Sequence, residues 1–551
     1  MAGQLVLALA QLNPTLGDIP GNLSKLKTIW REAERQGASL VITPELFITG
    51  YPPEDFALKP TLLKTVEDAV KGLARSTASG PAVLVGAPWV EKGRLYNAAL
   101  LLDGGEIVAK VFKHDLPNYG TFDEKRVYTS APLGEPIDFH GYCLGIMICE
   151  DMWKPDVSNH LKEKGAQILI VLNGSPYEGG KQEQRYELAR ERVKETSQPL
   201  VYVNQVGGQD ELVFEGASFV MSSTGEVIAQ SKQWVEELLL SRFSTRNTAL
   251  VPDKATFWPH SDGVAGLYGA LMTGLRDYTR KNRFETVLLG LSGGVDSALA
   301  AAIAVDALGA ESVRTVIMPS RYTSPESLED ATSIAHALGC RLDTVPINQA
   351  VEAFDETLAP VFAGCSPDVT EENIQARCRG IILMAMANKG GGMVLATGNK
   401  SEMATGYATL YGDMCGGFAP LKDVYKTDAY KLALWRNANK PEEALGPEGE
   451  VIPERVLTKA PSAELRPDQT DQDTLPPYDV LDDILQGLIE DDLGVAEIAA
   501  RGHDAALVQR VWLMLDRAEY KRRQAPPGPK VTKRHLTRDR RYPITNRYVE
   551  K

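Results

Sequence analysis

The sequence predicts two α/β domains in tandem, a layered one containing antiparallel hairpins and then a doubly wound parallel sheet. Three observations predict this. The chain has 551 residues, too many for one core at about 100 to 200 residues per domain. In its first half, strand and helix patterns follow one another in mixed order with hairpins among them, which indicates layers rather than a βαβ series. In the second half strands and helices alternate, and each crossover is long enough for a parallel connection. The expected division is 1–245, a linker over 246–262, and 263–551.

The elements can be justified in order. Residues 5–12 read as a buried strand, 21–36 as a helix with Leu23, Leu26, Ile29 and Trp30 on one side, and 39–43 as a strand. Next come a strand over 82–89, a hairpin over 95–112 turning at Asp103-Gly104-Gly105, and a strand over 142–149. Helices over 156–164 and 181–196 separate strands at 167–173 and 200–205, and a hairpin over 216–230 follows. The polar stretch 241–260, with Asn247, Pro252, Asp253 and Pro259, lacks periodicity and reads as the linker.

Beyond it, a helix over 267–281 precedes a short strand over 286–291, an Ala-rich helix over 297–308 closed by Gly309, and a strand over 313–318. Ser324 and Pro325 supply a cap and a first-turn proline for a helix ending at Gly339. A strand over 342–347, a helix over 371–388 and a strand over 393–397 complete the alternation. The stretch 467–492 is acidic and loop-like at its start, and helices fill 490–522.

Composition narrows the class. Hydrophobic residues at 43% and charged residues at 24% exclude a disordered or fibrous chain. No apolar run approaches the roughly 18 residues of a membrane span. Residues 1–11 alternate like a strand and lack a basic start, so no signal peptide is expected. The six cysteines show no C-x-x-C spacing, so neither zinc nor a disulfide framework is expected, and a reducing cytoplasm is. Between residues 517 and 551, twelve Lys/Arg face three acids, a balance of +9 that leaves −23 on the rest. An acidic body repels a long polyanion, so a compact phosphate ligand suits that tail better than nucleic acid, and a merely solvated terminus is the plain alternative.

Gly290-Leu291-Ser292-Gly293-Gly294-Val295-Asp296-Ser297 follows an apolar strand and opens a helix. Two glycines let backbone N–H groups turn inward as an anion nest, and the helix N-terminus adds partial positive charge. Asp296 makes sense beside phosphates only with a Mg²⁺ between them. No lysine follows, so this is not the loop of γ-phosphate-cleaving enzymes. The Ser-Gly-Gly-x-Asp-Ser string resembles the ATP pyrophosphatase family, which implies adenylation of a substrate at the α-phosphate of ATP. Thr397-Gly-Asn-Lys-Ser-Glu402 sits at the carboxyl end of a parallel strand, where open α/β sheets bind ligands, and Glu402 is a second candidate Mg²⁺ ligand or simply a first-turn helix acid. With Tyr411 to Gly417, the run from Glu371 through Asn373 to Arg377, and Pro461 to Leu465, these strings resemble the NAD synthetase family over about 267–523.

In the first domain, Pro44-Glu45, Lys113-His114 and Ile148-Cys149-Glu150-Asp151 each end or follow a strand. A thiol with pKa of about 8.5 needs a cation and a base to become a nucleophile. Converging, Glu45 would move the proton, Lys113 would stabilise the oxyanion, and Cys149 would form the acyl-enzyme. Singly, each residue has a plain explanation as a packing thiol or an edge charge. His114 lacks a second acid at motif spacing and is not expected to be the base. The Glu, Lys, Cys succession resembles the nitrilase-type amidase family over about 4–230, which implies an αββα sandwich; in its glutamine-using branch the matching pocket residues are Tyr119, Glu124, Ser175 and Lys181.

The two resemblances in this order are those of glutamine-dependent NAD synthetases. They imply that glutamine yields ammonia at Cys149 and that deamido-NAD and ATP give an adenylate which ammonia converts to NAD, with AMP, pyrophosphate and glutamate as the other products. They place ATP on Gly290 to Ser297 and Thr397, deamido-NAD against Asn373, Glu402 and Lys521, and Mg²⁺ between Asp296 and Glu402. A homo-oligomer with an internal ammonia route, and neither nucleic acid nor membrane as partner, is the accompanying expectation. Another amidotransferase sharing the loop, a non-catalytic sensor and a nucleic-acid binder are the alternatives.

Overall fold

The computed structural model describes residues 4–246 and 249–549. It forms two compact units, Met1–Asp262 and Gly263–Lys551. In the first, the chain runs β1 (Leu5–Gln11), α1 (Ile19–Arg35), β2 (Leu40–Ile42), α2 (Pro60–Ser76), β3 (Ala82–Glu91), β4 (Arg94–Asp103), β5 (Glu106–Phe112), β6 (Ile137–Phe139), β7 (Tyr142–Ile148), α3 (Pro155–Glu163), β8 (Ile168–Asn173), α4 (Lys181–Thr196) and β9 (Leu200–Asn204). A ribbon of β10 (Val206–Gln209) and β11 (Leu212–Glu215) follows, then β12 (Phe219–Met221), β13 (Val227–Gln230), β14 (Glu237–Arg246) and β15 (Ala249–Pro252).

These strands form a seven-stranded sheet, β15-β14-β1-β2-β3-β4-β5, and a six-stranded sheet, β13-β12-β9-β8-β7-β6. Alternation along each strand decides the layering. Leu5, Leu7 and Leu9 of β1 pack with Leu144, Ile146 and Ile148 of β7 and Ile168 and Ile170 of β8 in one core. The opposite faces, Ala8 and Ala10 on one sheet and Leu169 and Val171 on the other, meet helices: α1 and α2 through Leu26, Val66 and Val70, α3 and α4 through Val157 and Ala189. The result is the αββα sandwich.

Three features depart from expectation. The expected linker is largely folded: β14 pairs antiparallel with β1, β15 pairs with β14, and Gln233 holds Ser261 through a 2.7 Å bond from the Ser261 N–H. Its polar residues are the outward half of an alternating strand whose Leu239, Ser241 and Phe243 are buried. Asn247 lies outside the described residues, as do residues 1–3 of the stretch 1–11 read as alternating like a strand. Helix α2 is also additional, although Val66, Val70, Leu73 and Ala74 recur at helical spacing. Gly207 and Gly208 disguise the β10–β11 ribbon.

The second unit contains α5 (Gly263–Lys281), β16 (Val287–Gly290), α6 (Val295–Leu308), β17 (Val313–Ile317), α7 (Pro325–Leu338), β18 (Arg341–Thr344), α8 (Asn348–Leu358), α9 (Val369–Gly390), β19 (Met393–Val394), α10 (Lys400–Thr405), α11 (Lys426–Ala438), α12 (Glu454–Thr458), α13 (Tyr478–Ile489), α14 (Val495–Ala499), α15 (Ala505–Arg517) and α16 (Glu519–Arg522). The four strands are parallel in the order β18-β17-β16-β19. The first three proceed in one direction and β19 returns on the other side of β16, so the order reverses there, and such a reversal opens a crevice at the carboxyl ends. Helices α10, α13, α14 and α15 share a separate apolar core around Leu481, Ile484, Val511 and Trp512. Among the described residues, no helix is long and apolar enough to cross a membrane.

Candidate active sites

In the first unit, Glu45 follows β2, Lys113 follows β5 and Cys149 follows β7. The segment carrying Glu45 lies so close to β3 that a Cβ on Gly86 would stand 2.5 Å from both the Pro44 carbonyl oxygen and the Leu46 nitrogen. Glu45 is fully buried, and its carboxylate accepts from Lys113 Nζ at 2.7 Å, Asn97 Nδ2 at 2.7 Å and the Gly174 N–H at 2.9 Å. Lys113, equally buried, also reaches both oxygens of Glu124 at 2.9 Å, and Tyr51 donates to Glu124 at 3.2 Å. One ammonium is thus shared by two carboxylates. Burial, and then the Glu45 charge, push the Cys149 thiol up, against the pull of Lys113. Burial also raises Glu124, to about 7.

Cys149 is 4% exposed and has φ of +46°, a conformation costly for any residue with a side chain and characteristic of sites where geometry is imposed by the surroundings. Asp151 imposes it. Its carboxylate accepts from the N–H groups of Ile148, His114 and Asp115 at 3.0, 3.0 and 2.8 Å, tying the Cys149 turn to the segment that carries Lys113. His114 turns Nδ1 to the Ala131 carbonyl at 2.6 Å and takes no part in the triad.

The other four predicted pocket residues divide. Glu124 borders a cavity of about 30 Å³ with Leu46, Tyr51, Phe122 and Tyr128. Tyr119 donates to Glu150 at 3.0 Å from a rim position. Ser175 is buried, and Arg185 donates to its hydroxyl at 3.2 Å while pairing with Glu215. Lys181 is the first residue of α4. Asn97, Asp151 and Arg185 were not expected, because each acts through tertiary contacts that no local motif announces; only the carboxylate directly following Cys149-Glu150 was there as a signal.

In the second unit, the loop from Gly290 to Ser297 and Thr397 border one cavity of about 310 Å³. They lie after β16 and β19, on either side of the reversal in strand order. The loop is preformed: Ser297 Oγ accepts from the Ser292 N–H at 3.1 Å and donates to the Gly294 carbonyl at 3.0 Å. Gly293 has φ of +83°, and a Cβ there would stand 2.4 Å from the Ser327 carbonyl oxygen, so a side chain is excluded twice.

Glu402 performs the first-turn role weighed for it. Its Oε2 caps α10 by accepting from the Asn399 N–H at 3.2 Å, while Oε1 lies 3.8 Å from Lys426 Nζ. Lys426 binds Asp296 closely, and Asn399 Nδ2 donates to the other Asp296 oxygen at 3.1 Å. Burial and the neighbouring Asp296 charge raise Glu402 to about 8. Two carboxylates facing one ammonium leave a negative surplus of the kind a divalent cation relieves, and both offer the hard oxygens Mg²⁺ takes.

Asn373 and Lys521 converge on the loop 406–413 without bordering the cavity. Thr409 donates to Asn373 Oδ1 at 2.9 Å, and Lys521 donates to the carbonyls of Gly406 and Ala408 at 2.7 and 2.6 Å. Tyr407 and Thr409 of that loop do border it. The basic tail is folded into this unit: Arg540 pairs with Glu519 at 3.1 Å and Arg534 with Asp492 at 2.8 Å. The expected solvated or phosphate-facing terminus is therefore corrected for these two arginines, whose charge is met by acids of the same unit.

Residues 6–251 match the carbon-nitrogen hydrolase family and residues 267–525 the NAD synthase family. Fold and sites thus define an enzyme that joins an amide-hydrolysing unit to a nucleotide-dependent ligase unit. Similar proteins include the glutamine-dependent NAD(+) synthetases of Rhodobacter capsulatus, 47% identical over 100% of this chain and 99% of that protein, and of Thermotoga maritima, 44% identical over 99% of each. The solved structure of the glutamine-dependent NAD+ synthetase from Acinetobacter baumannii in complex with ADP is 43% identical, with a TM-score of 0.79 and 98% of each chain covered. That from Cytophaga hutchinsonii shares the fold at 21% identity, with a TM-score of 0.83 and 99% and 98% covered. The chain belongs to the glutamine-dependent NAD(+) synthetase family.

Proposed function

We propose that this enzyme amidates deamido-NAD to NAD, the closing step of NAD biosynthesis, with ammonia from glutamine. Cys149 Sγ attacks the amide carbon of glutamine while Glu45 takes the thiol proton and delivers it to the departing ammonia. Lys113 neutralises the oxyanion of the tetrahedral intermediate. Water then cleaves the thioester, Glu45 again accepting a proton, and glutamate leaves. Tyr119, Glu124, Ser175 and Lys181 hold the substrate amino acid. The observation that carries this reading is the fully buried Glu45–Lys113 pair at 2.7 Å acting electrostatically on the Cys149 thiol.

In the ligase unit, ATP binds on the loop from Gly290 to Ser297 and at Thr397, and deamido-NAD binds against Asn373, Glu402 and Lys521. The nicotinate carboxylate attacks the α-phosphorus, pyrophosphate leaves, and ammonia displaces AMP from the acyl-adenylate. Asp296 and Glu402 would hold Mg²⁺, which when bound neutralises phosphate charge. Ammonia passes between the sites inside the protein, because free ammonium is protonated at neutral pH and not nucleophilic. The enzyme works in the cytoplasm as a homo-oligomer. An assay counting glutamate and NAD together tests the whole: a ratio near one is expected, and glutamate release without any NAD would remove the function.

A further inference from the structure

Three cationic side chains border the ligase cavity, and two of them are committed. Lys426 is held by Asp296, and Lys459 lies 3.0 Å from Glu464 and donates to Ser327 at 2.7 Å. Arg379, on α9, forms no ion pair among the described residues. Its Nε donates to the Met318 carbonyl at 3.1 Å, and its two terminal nitrogens have no protein acceptor. Burial lowers its affinity for the proton, with Glu464 and Asp413 acting on it only from a distance. A half-buried guanidinium on a cavity wall without an acid at ion-pair distance is costly unless a ligand supplies the counter-charge.

The position indicates which ligand. Met318 ends the stretch after β17, and its Cε lies 3.1 Å from the place of a Cβ on Gly290, the residue that opens the phosphate loop. That loop carries no lysine. The planar fork of an arginine matches phosphate oxygens with two parallel N–H bonds, a geometry an ammonium cannot reproduce.

We propose that Arg379 binds the phosphate chain of the nucleotide, supplying the cationic donors that the lysine-free loop lacks; this rests on the nucleotide reading of the cavity. The test uses the full chain and its Arg379→Gln and Arg379→Lys variants, with ADP, adenosine and deamido-NAD titrated calorimetrically in the presence of Mg²⁺. Losing charge-assisted hydrogen bonds should raise the Kd for ADP about 10- to 100-fold in Arg379→Gln. Adenosine, which has no phosphate, should change by less than about twofold, which also shows that the cavity has kept its fold, and Arg379→Lys should recover part of the loss. An unchanged ADP affinity, a parallel loss for ADP and adenosine, or a loss confined to deamido-NAD would overturn the proposal. A wild-type chain that fails to bind ADP would instead overturn the nucleotide reading beneath it.

Discussion

The two sites solve the problem of charge in opposite ways. In the hydrolase unit the charges meet inside the protein: Lys113, fully buried, lies 2.7 Å from Glu45 and 2.9 Å from Glu124, and the neighbouring cavity is only about 30 Å³. In the ligase unit the cavity is about 310 Å³ and the charges stay unbalanced, with Glu402 raised to about 8 and Arg379 lacking an acidic partner among the described residues. The difference follows from the substrates. The reacting amide group of glutamine brings no charge of its own, so the groups around it must stabilise one another. A nucleotide brings several, so that site leaves its own charges to be met by the ligand. Preorganisation here means a closed network in one unit and a deliberate deficit in the other.

The largest effect should separate the units outright. Cys149→Ala should lower glutamine-driven NAD formation by about 10⁴-fold or more while ammonium chloride still supports it, and Asp296→Ala should lose NAD formation from either nitrogen source while glutaminase persists. Glutamine turnover surviving in Cys149→Ala would break the assignment. Next, Glu124→Gln should reduce kcat for glutamine about 100-fold, since hydrogen bonds to a charged group are worth about 1.5–3 kcal/mol and Glu45 alone is then left to hold the Lys113 ammonium; the ammonium-driven rate serves as its control.

A pH effect should appear in the ligase unit. The Glu402 carboxyl is raised above its ordinary value of 4.5 to about 8, so the ligand-free fold binds more protons than the unfolded chain between those values. Its stabilising contribution is complete below the ordinary carboxyl range and is lost as pH rises through about 8. Mg²⁺ favours the ionised form, so Mg²⁺-nucleotide affinity should strengthen over the same window with release of a proton, measured as buffer-dependent heat. Glu402→Gln should abolish that release, and an unaltered release would locate the proton elsewhere. The smallest effect is expected for Asp151→Asn: one lost backbone bond should reduce glutaminase kcat about tenfold with KM little moved, because Asp151 positions Cys149 without touching substrate.

Much of this was legible in sequence where chemistry and chain neighbourhood coincide. Cys149, Lys113 and Glu45 could be read because each stands at a strand end inside a short motif, and the loop from Gly290 to Ser297 because its glycines and serines are consecutive. Asn97 and Arg185 could not, since Asn97 meets Glu45 across β4 and Arg185 meets Ser175 from α4. The same limit explains β14: its residues look like a polar linker until pairing with β1 reveals which half of the alternation is buried. Arg379 is a further instance, since what distinguishes it from Arg377 is not its neighbours in the chain but its place on the border of the ligase cavity.

The setting of Cys149 also bears on which reagents can find it. The thiol is 4% exposed, held toward its neutral form, and surrounded by Glu45, Glu124 and Glu150. Oxidants and alkylating agents attack thiolates, and anionic ones are repelled by carboxylates. Iodoacetamide should therefore modify it faster than iodoacetate, and a resting enzyme should withstand peroxide that oxidises an exposed thiolate. Its sulfur is kept neutral by its own surroundings, which makes chemical silence a property of the idle state.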